Sequence, residues 1–398
     1  MPISRLHFLY LNTGHFFDHL FMLIFASVAA LRLTTEWNMS YAELIPYATP
    51  GFIAFGVCAL PAGWLADRWS REGMMCIFFL GAGISSILVT LATTPLEIAF
   101  YLSLIGVFAA IYHPVGLAMV IRGRDKTGMP LAINGVFGNL GVACAALLTG
   151  YLVDNIGWQS AFVLPGIASI ALGISYIFVA RADLKNISQQ TANSTTNKPE
   201  NSATISRSLL IRIFSIIIFS TALGGLIFQS TTFALPKILS EQLISITDSA
   251  TMIGWYAFIV FSLAALAQLV VGYFVDNHSI RQVFIIVALI QALAFATMIN
   301  VTGIFALLVA VVFMLAVFGQ IPINDVLIGR IAKSGWRSRA FAARYIVTFS
   351  VMASTIPFIA WIHGNWGFSK LFTVLAIAAA LILFAVYLLP RQLNTAKT

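Results

Sequence analysis

The sequence predicts an all-α membrane protein with twelve transmembrane helices in two pseudo-symmetric six-helix bundles, and three observations carry that prediction. Of its 398 residues, 60% are hydrophobic and only 9% charged, whereas soluble domains carry roughly a quarter charged residues. The apolar residues gather into twelve stretches of spanning length, separated by short polar breaks. The first six stretches are also echoed by the second six at a nearly constant offset.

The stretches fall at about 6–33, 43–66, 73–93, 96–121, 129–152 and 159–180, then at about 209–236, 248–275, 282–300, 303–330, 340–362 and 369–389. Residues 181–208 lie between the sets and are rich in Asn, Ser, Thr and Gln, the composition of a flexible linker. The expected organisation is an N-terminal bundle over 1–180, a cytoplasmic linker over 181–208 and a C-terminal bundle over 209–398. Gly63-Trp-Leu-Ala-Asp67 matches Gly272-Tyr-Phe-Val-Asp276 at an offset of 209. Arg122 matches Arg330 at 208, and Gly157-Trp-Gln-Ser-Ala-Phe162 matches Gly367-Phe-Ser-Lys-Leu-Phe372 at 210. Parallel repeats of this kind place a substrate site near the bilayer midplane, with alternating access by rocking.

The net charge of +8 is spread over short loops, a pattern of membrane topology and not of nucleic-acid binding. With both termini in the cytoplasm, only Arg32, Lys237, Lys370 and the intramembrane Arg344 fall outside cytoplasmic segments among the 22 Lys and Arg residues. This bias sets the orientation. The N-terminus has a single Arg5 before a long, polar-interrupted helix without a small-residue cleavage site, and reads as a retained span. Cys58, Cys76 and Cys144 all lie in apolar stretches and form no disulfide framework.

The first span carries the main functional signal. Its second half, Leu20 to Leu31, is free of charge, yet its first half holds Asn12, His15, Asp18 and His19. At 100° per residue Asn12, His15 and His19 share one narrow face, with Asp18 about 60° to the side of His15. Ionisable groups at such depth usually face a polar path and mark ion or substrate movement. Two readings stand: proton coupling by Asp18 with His15 and His19, or a satisfied cluster that fixes helix packing. His113 sits at a depth similar to His15 and precedes Pro114, so it either lines the cavity or bonds to backbone that the proline frees. His15 and His19 at i, i+4, with Asp18 and His113, also offer a transition-metal set, although no cysteine or second carboxylate joins them.

In the second half, Asp325 and Arg344 each lie about five residues inside a cytoplasmic loop, and a salt bridge is the simplest reading of equal depth on sequential helices. It serves either as a gate or as a structural pair. Gln229, Gln320 and Asn324, with Asn12 and His113, are candidates to line the substrate cavity.

Gly63-Trp-Leu-Ala-Asp67-Arg68-Trp-Ser-Arg71 resembles the loop signature G-x-L-x-D-R-x-x-R of the major facilitator superfamily, and the resemblance covers nearly the whole chain. It implies a cytoplasmic latch in which Asp67 meets the start of span eleven, with Gly63, Arg68 and Arg71 beside it. In the second copy Asp276 is followed by Asn277-His278-Ser279-Ile280-Arg281, a departure from the pattern. His15-Phe-Phe-Asp18, Tyr112-His113-Pro114-Val-Gly116 and Gly138-Asn139-Leu140-Gly141 together resemble the fosmidomycin-resistance branch of drug exporters. That branch implies a proton-coupled exporter of small organic molecules in a bacterial inner membrane.

The expected function is therefore secondary transport, with export of a small organic solute against inward proton flow. Alternatives are a transporter of metal ions or metal chelates and a receptor on a transporter scaffold. The expected partners are a small-molecule substrate, protons and membrane lipid, with no nucleic acid, no cofactor and a monomeric state. No motif argues for an enzyme.

Overall fold

The computed structural model describes residues 3–124, 127–188, 207–331 and 337–390, with the side chains of 182–188, 207–210, 325, 328–331, 337–343 and 345 outside the description. Among the described residues every regular element is helical. A bilayer requires this, because it holds no water to satisfy a free backbone N–H or C=O.

Ten helices of spanning length and composition come first: α1 (Arg5–Glu36), α2 (Tyr41–Arg68), α3 (Arg71–Leu91), α4 (Pro95–Val120), α5 (Gly128–Asn155), α6 (Ser160–Arg181), α7 (Ile211–Gln242), α8 (Ala250–Asn277), α9 (Ile280–Met298) and α10 (Gly303–Asn324). A last apolar helical stretch, Ile346–Tyr387, is 42 residues long, about twice what one crossing needs. It is two spans, because Gly367 adopts φ 72 and ψ −175 and breaks the helix. We number them α11 (346–366) and α12 (368–387).

The repeat seen in the sequence has a physical cause at this break. Gly157, the earlier copy of Gly367, separates α5 from α6 with φ 132. Both positions lie where a side chain would be strained, so glycine is needed at each. The residues that follow also behave alike: Trp158 and Phe162 are buried at 3% and 0% exposure, and Phe368 and Phe372 at 3% and 0%. Ser70 caps the start of α3, its Oγ accepting from the Gly73 N–H at 2.9 Å. Ser279 holds the N-cap position of α9 at the same offset of 209 from Ser70.

Contacts divide the chain into two units, Met1–Thr195 with Thr247–Phe261, and Thr196–Ile246 with Ser262–Thr398. The expected linker at 181–208 falls largely outside the described residues. Within the first unit α1 packs along α5, α3 along α6 and α2 along α4. The α1–α5 seam is close: a side chain at Gly141 would run into the Phe16 carbonyl, the kind of backbone approach that small residues allow in membranes. Asp154 at the end of α5 binds the start of α8, its Oδ2 accepting from Ser249 Oγ at 2.9 Å and from the Thr251 N–H at 2.7 Å. Within the second unit α7 packs against the α11–α12 stretch and α9 against α10.

Candidate functional site

The first unit gathers His15, Asp18, His19 and His113 around the middle of α1. Two departures from regular helix help to aim them. In α4 the backbone forms a π-turn over Tyr112–Gly116, since Pro114 has no N–H to give and forces the turn to widen. Gly63 of α2 packs against this turn, with the position of a Cβ there only 3.2 Å from the Pro114 ring. The turn presents His113 to α1.

Asp18 is 1% exposed. Its Oδ2 lies 3.3 Å from His113 Nε2, while its Oδ1 is buried without a hydrogen-bond partner among the described residues. A buried carboxylate with an unsatisfied oxygen is costly in its charged form, and a proton on that oxygen would relieve it.

His15 is fixed on both nitrogens. Its Nδ1 lies 2.8 Å from the Asn134 backbone carbonyl, and a carbonyl only accepts, so Nδ1 carries a proton. In a neutral ring Nε2 is then bare. His19 Nε2 sits 3.1 Å from that atom and donates to it. The His15 ring also stacks on Tyr112, with centroids 4.8 Å apart and planes at 16°. Gly138 makes room for the ring, because a Cβ there would stand 2.7 Å from it. The His113 ring centroid lies 5.4 Å from that of His15 and 5.7 Å from that of His19.

Asn12 is turned into this network and not toward open space. Its Oδ1 accepts from Asn134 Nδ2 at 2.9 Å. The same amide donates to Tyr112 Oη at 2.8 Å, and Tyr112 donates to the Leu11 carbonyl at 2.8 Å. Phe16 and Phe17, which lie between His15 and Asp18 in sequence, instead line an apolar cavity of about 540 Å³ with Leu147, Tyr151 and Trp255.

The remaining candidates take other places. Asp67 pairs with Arg71 one turn on, at 2.8 Å, and its side chain is 67% exposed. Arg68 lies over the Trp64 ring at 4.9 Å. In the second unit Arg281 donates to the Tyr387 carbonyl at 2.8 Å, at the end of α12, and Asp276 closes α8 next to Asn277. Gln229, Gln320 and Asn324 are buried at 1%, 4% and 6% exposure. Gln229 Nε2, both polar atoms of Gln320 and Asn324 Oδ1 lack a hydrogen-bond partner among the described residues. Arg344 is half-buried on the helical turn that leads into α11, whereas the side chain of Asp325 is outside the described residues, and so is the pair expected between them.

Three participants were not singled out as site residues from the sequence. Tyr112 and Asn134 hold Asn12 and His15 in place. His7, 0% exposed, meets Tyr176 Oη of α6 at 2.7 Å. Asn134 had one available signal, since it lies four residues before Gly138 and eight before Val142 on the α5 face that meets α1.

The sequence model of the Major Facilitator Superfamily matches residues 11–246 and 239–397. This chain belongs to that superfamily. It is an integral membrane protein, and the solved structures it resembles share its fold over nearly its full length. The xylose transporter XylE from E. coli superposes with a TM-score of 0.71 at 14% identity, covering 98% of this chain and 97% of that one. A D-xylose–proton symporter gives 0.73 at 14% identity, covering 96% and 97%. At such identities the likeness shows the fold alone.

Curated superfamily relatives match over shorter stretches. The gallate transporter of Pseudomonas putida is 26% identical over 145 residues, 36% of this chain and 32% of that protein. The tetracenomycin C resistance and export protein of Streptomyces glaucescens is 27% identical over 164 residues, 39% and 30%. The niacin transporter NiaP of Acinetobacter baylyi is 25% identical over 189 residues, 45% and 40%. The chain spans about a third of the length of these curated relatives.

Proposed function

We propose that this superfamily member is a proton-coupled secondary transporter that exports a small organic solute, with the coupling proton carried on Asp18 beside His113. One observation carries the reading: a carboxylate in the middle of a spanning helix, 1% exposed, with one oxygen unpartnered among the described residues and the other 3.3 Å from a histidine. An ionisable group is costly at that depth. A group that must gain and lose a proton during a transport cycle has reason to be there. His15 and His19 extend the proton path through their shared contact at 3.1 Å.

Relatives named for gallate, niacin and tetracenomycin C support a small organic solute, and the export protein among them supports the outward direction. The resemblance to the fosmidomycin-resistance exporters favours the same direction. In this reading the protein lies in a bacterial inner membrane as a monomer among lipids, both termini in the cytoplasm, with bundles over 1–180 and 209–398 joined by 181–208. Asn12, His113, Gln229, Gln320 and Asn324 serve the substrate cavity. Gly63, Asp67, Arg68, Arg71, Asp276 and Arg281 serve the cytoplasmic closure.

The test is flux in proteoliposomes with an imposed pH gradient. Asp18→Asn keeps the shape and removes the titrating group, so gradient-driven flux should vanish while exchange of solute for solute persists. Full gradient-driven flux in this variant would remove Asp18 from the coupling path.

A further inference from the structure

Three imidazoles converge in the first unit in a way that proton transfer alone does not require. One nitrogen from each of His15, His19 and His113 lies within 4.8 Å of the others, and the His15 and His19 Nε2 atoms are already 3.1 Å apart. Ligands about 2.0 to 2.1 Å from a tetrahedral zinc ion stand about 3.4 Å from one another. The first pair therefore has the spacing of two ligands on one ion once the His19 proton moves from Nε2 to Nδ1, and the third lies within 4.8 Å of both.

We propose that His15, His19 and His113 form a binding site for a divalent transition-metal ion of the zinc class. The surroundings fit. His15 donates a hydrogen bond from Nδ1–H to the Asn134 carbonyl at 2.8 Å, which fixes the ring and leaves Nε2 without a proton of its own, as metal-bound histidines generally arrange. The Asp18 carboxylate, 3.3 Å from His113 Nε2, supplies the negative charge that a buried dication needs. Its Oδ1, without a hydrogen-bond partner among the described residues, marks a place where positive charge is wanted. His19 and His113 are half-buried and not sealed. A set of three imidazoles selects zinc, nickel or copper over magnesium and calcium, which prefer oxygen ligands.

The site joins α1 to α4 and occupies the nitrogens assigned above to the proton path. A bound ion therefore holds the two helices together and blocks that path, making zinc an inhibitor. This consequence rests on the coupling reading, but the binding does not.

The experiment is calorimetric titration of the purified, tag-free protein in detergent with zinc chloride, with magnesium chloride as the comparison and no gradient present. One saturable zinc per chain is expected, with no saturable magnesium, and each of His15→Gln, His19→Gln and His113→Gln should weaken zinc at least about 100-fold. Asp18→Asn should weaken it by about 10-fold or more, as outer partners do. No saturable zinc, or equal binding in the three histidine variants, overturns the proposal. Zinc-edge X-ray absorption on the wild-type protein keeps the test independent of how the variants fold. Three imidazole nitrogens near 2.0 to 2.1 Å support the site, and a sulfur shell near about 2.3 Å or an oxygen-only shell overturns it. Loss of coupling in Asp18→Asn vesicles bears on the transport reading alone, since zinc binding is read without transport.

Discussion

His113 Nε2 and Asp18 Oδ2 lie 3.3 Å apart, and they come from residues 95 positions apart on two different helices. The contact depends on the π-turn at Tyr112–Gly116, so it is a property of the folded unit and not of either helix. If the two act as one group, their losses should not add. Asp18→Asn and His113→Gln should each cut gradient-driven flux, and the double variant should be no worse than the poorer single one, with a coupling energy above about 1 kcal/mol. Additive losses would separate the two residues.

The seam between α1 and α5 predicts two different failures three residues apart. Gly138→Ala meets the His15 ring, which can shift only by giving up its bond to Asn134, whereas Gly141→Ala meets the Phe16 backbone, which cannot shift. Gly138→Ala should lose less thermal stability than Gly141→Ala and transport poorly. Gly141→Ala should be destabilised by about 1 to 3 kcal/mol, the usual cost of overpacking. Thermal denaturation with flux on the same preparations decides, and equal behaviour of the two would contradict the structure.

An exposed pair such as Asp67 and Arg71 contributes little to stability, typically about 0.2 to 1 kcal/mol. Arg71→Ala should therefore leave the melting temperature nearly unchanged. If Asp67 also closes the cytoplasmic side, Asp67→Ala will slow transport far more than Arg71→Ala and alter cysteine labelling from the two faces of the membrane. Matching transport and labelling in both variants would leave Asp67 as a loop residue.

For Asp325 and Arg344 the prediction comes from the sequence. Neutralising one partner of a buried ion pair leaves a charge that costs about 3 to 5 kcal/mol. Each of Asp325→Asn and Arg344→Gln should then be worse in yield and flux than the two together. A double variant that is worse than both singles would refute the pairing.

Asp154 accepts from Ser249 and from the Thr251 N–H at the first turn of α8. Removing a carboxylate cap typically costs about 0.5 to 2 kcal/mol. Asp154→Ala should lower the melting temperature measurably, while Ser249→Ala, which leaves the backbone bond in place, should lower it less.

The spans were legible because hydrocarbon leaves so little choice: an apolar run of about 20 residues that excludes charge has to be a helix. His15, Asp18 and His19 were legible for the converse reason, since ionisable groups stand out against such a run. Asn134 and Tyr112 did not stand out in this way. A neutral amide or a phenol is tolerated in many spans for packing, and nothing local says that one holds a histidine 119 residues away, as Asn134 holds His15. His7 sits near the end of α1, where a polar residue reads as interfacial, and only the approach of Tyr176 from α6 shows it to be buried. The sequence did show Arg71 one turn beyond Asp67, but the expected partner of that aspartate at the start of span eleven is a tertiary matter.

The glycine breaks at 157 and 367 bear on how the two halves have diverged. Both keep a left-handed glycine, and both bury an aromatic residue one and five places later. Around those shared features the buried side chains differ in kind. Among the described residues the first unit buries His7, His15, Asp18 and Glu72, whereas Gln229, Gln291, Gln320 and Asn324 stand buried in the second. What the repeat has preserved is a steric requirement of the backbone, and what it has released is the choice of side chains that titrate. A chimera built from two copies of the first half would keep both glycine turns and carry His7, His15 and Asp18 twice.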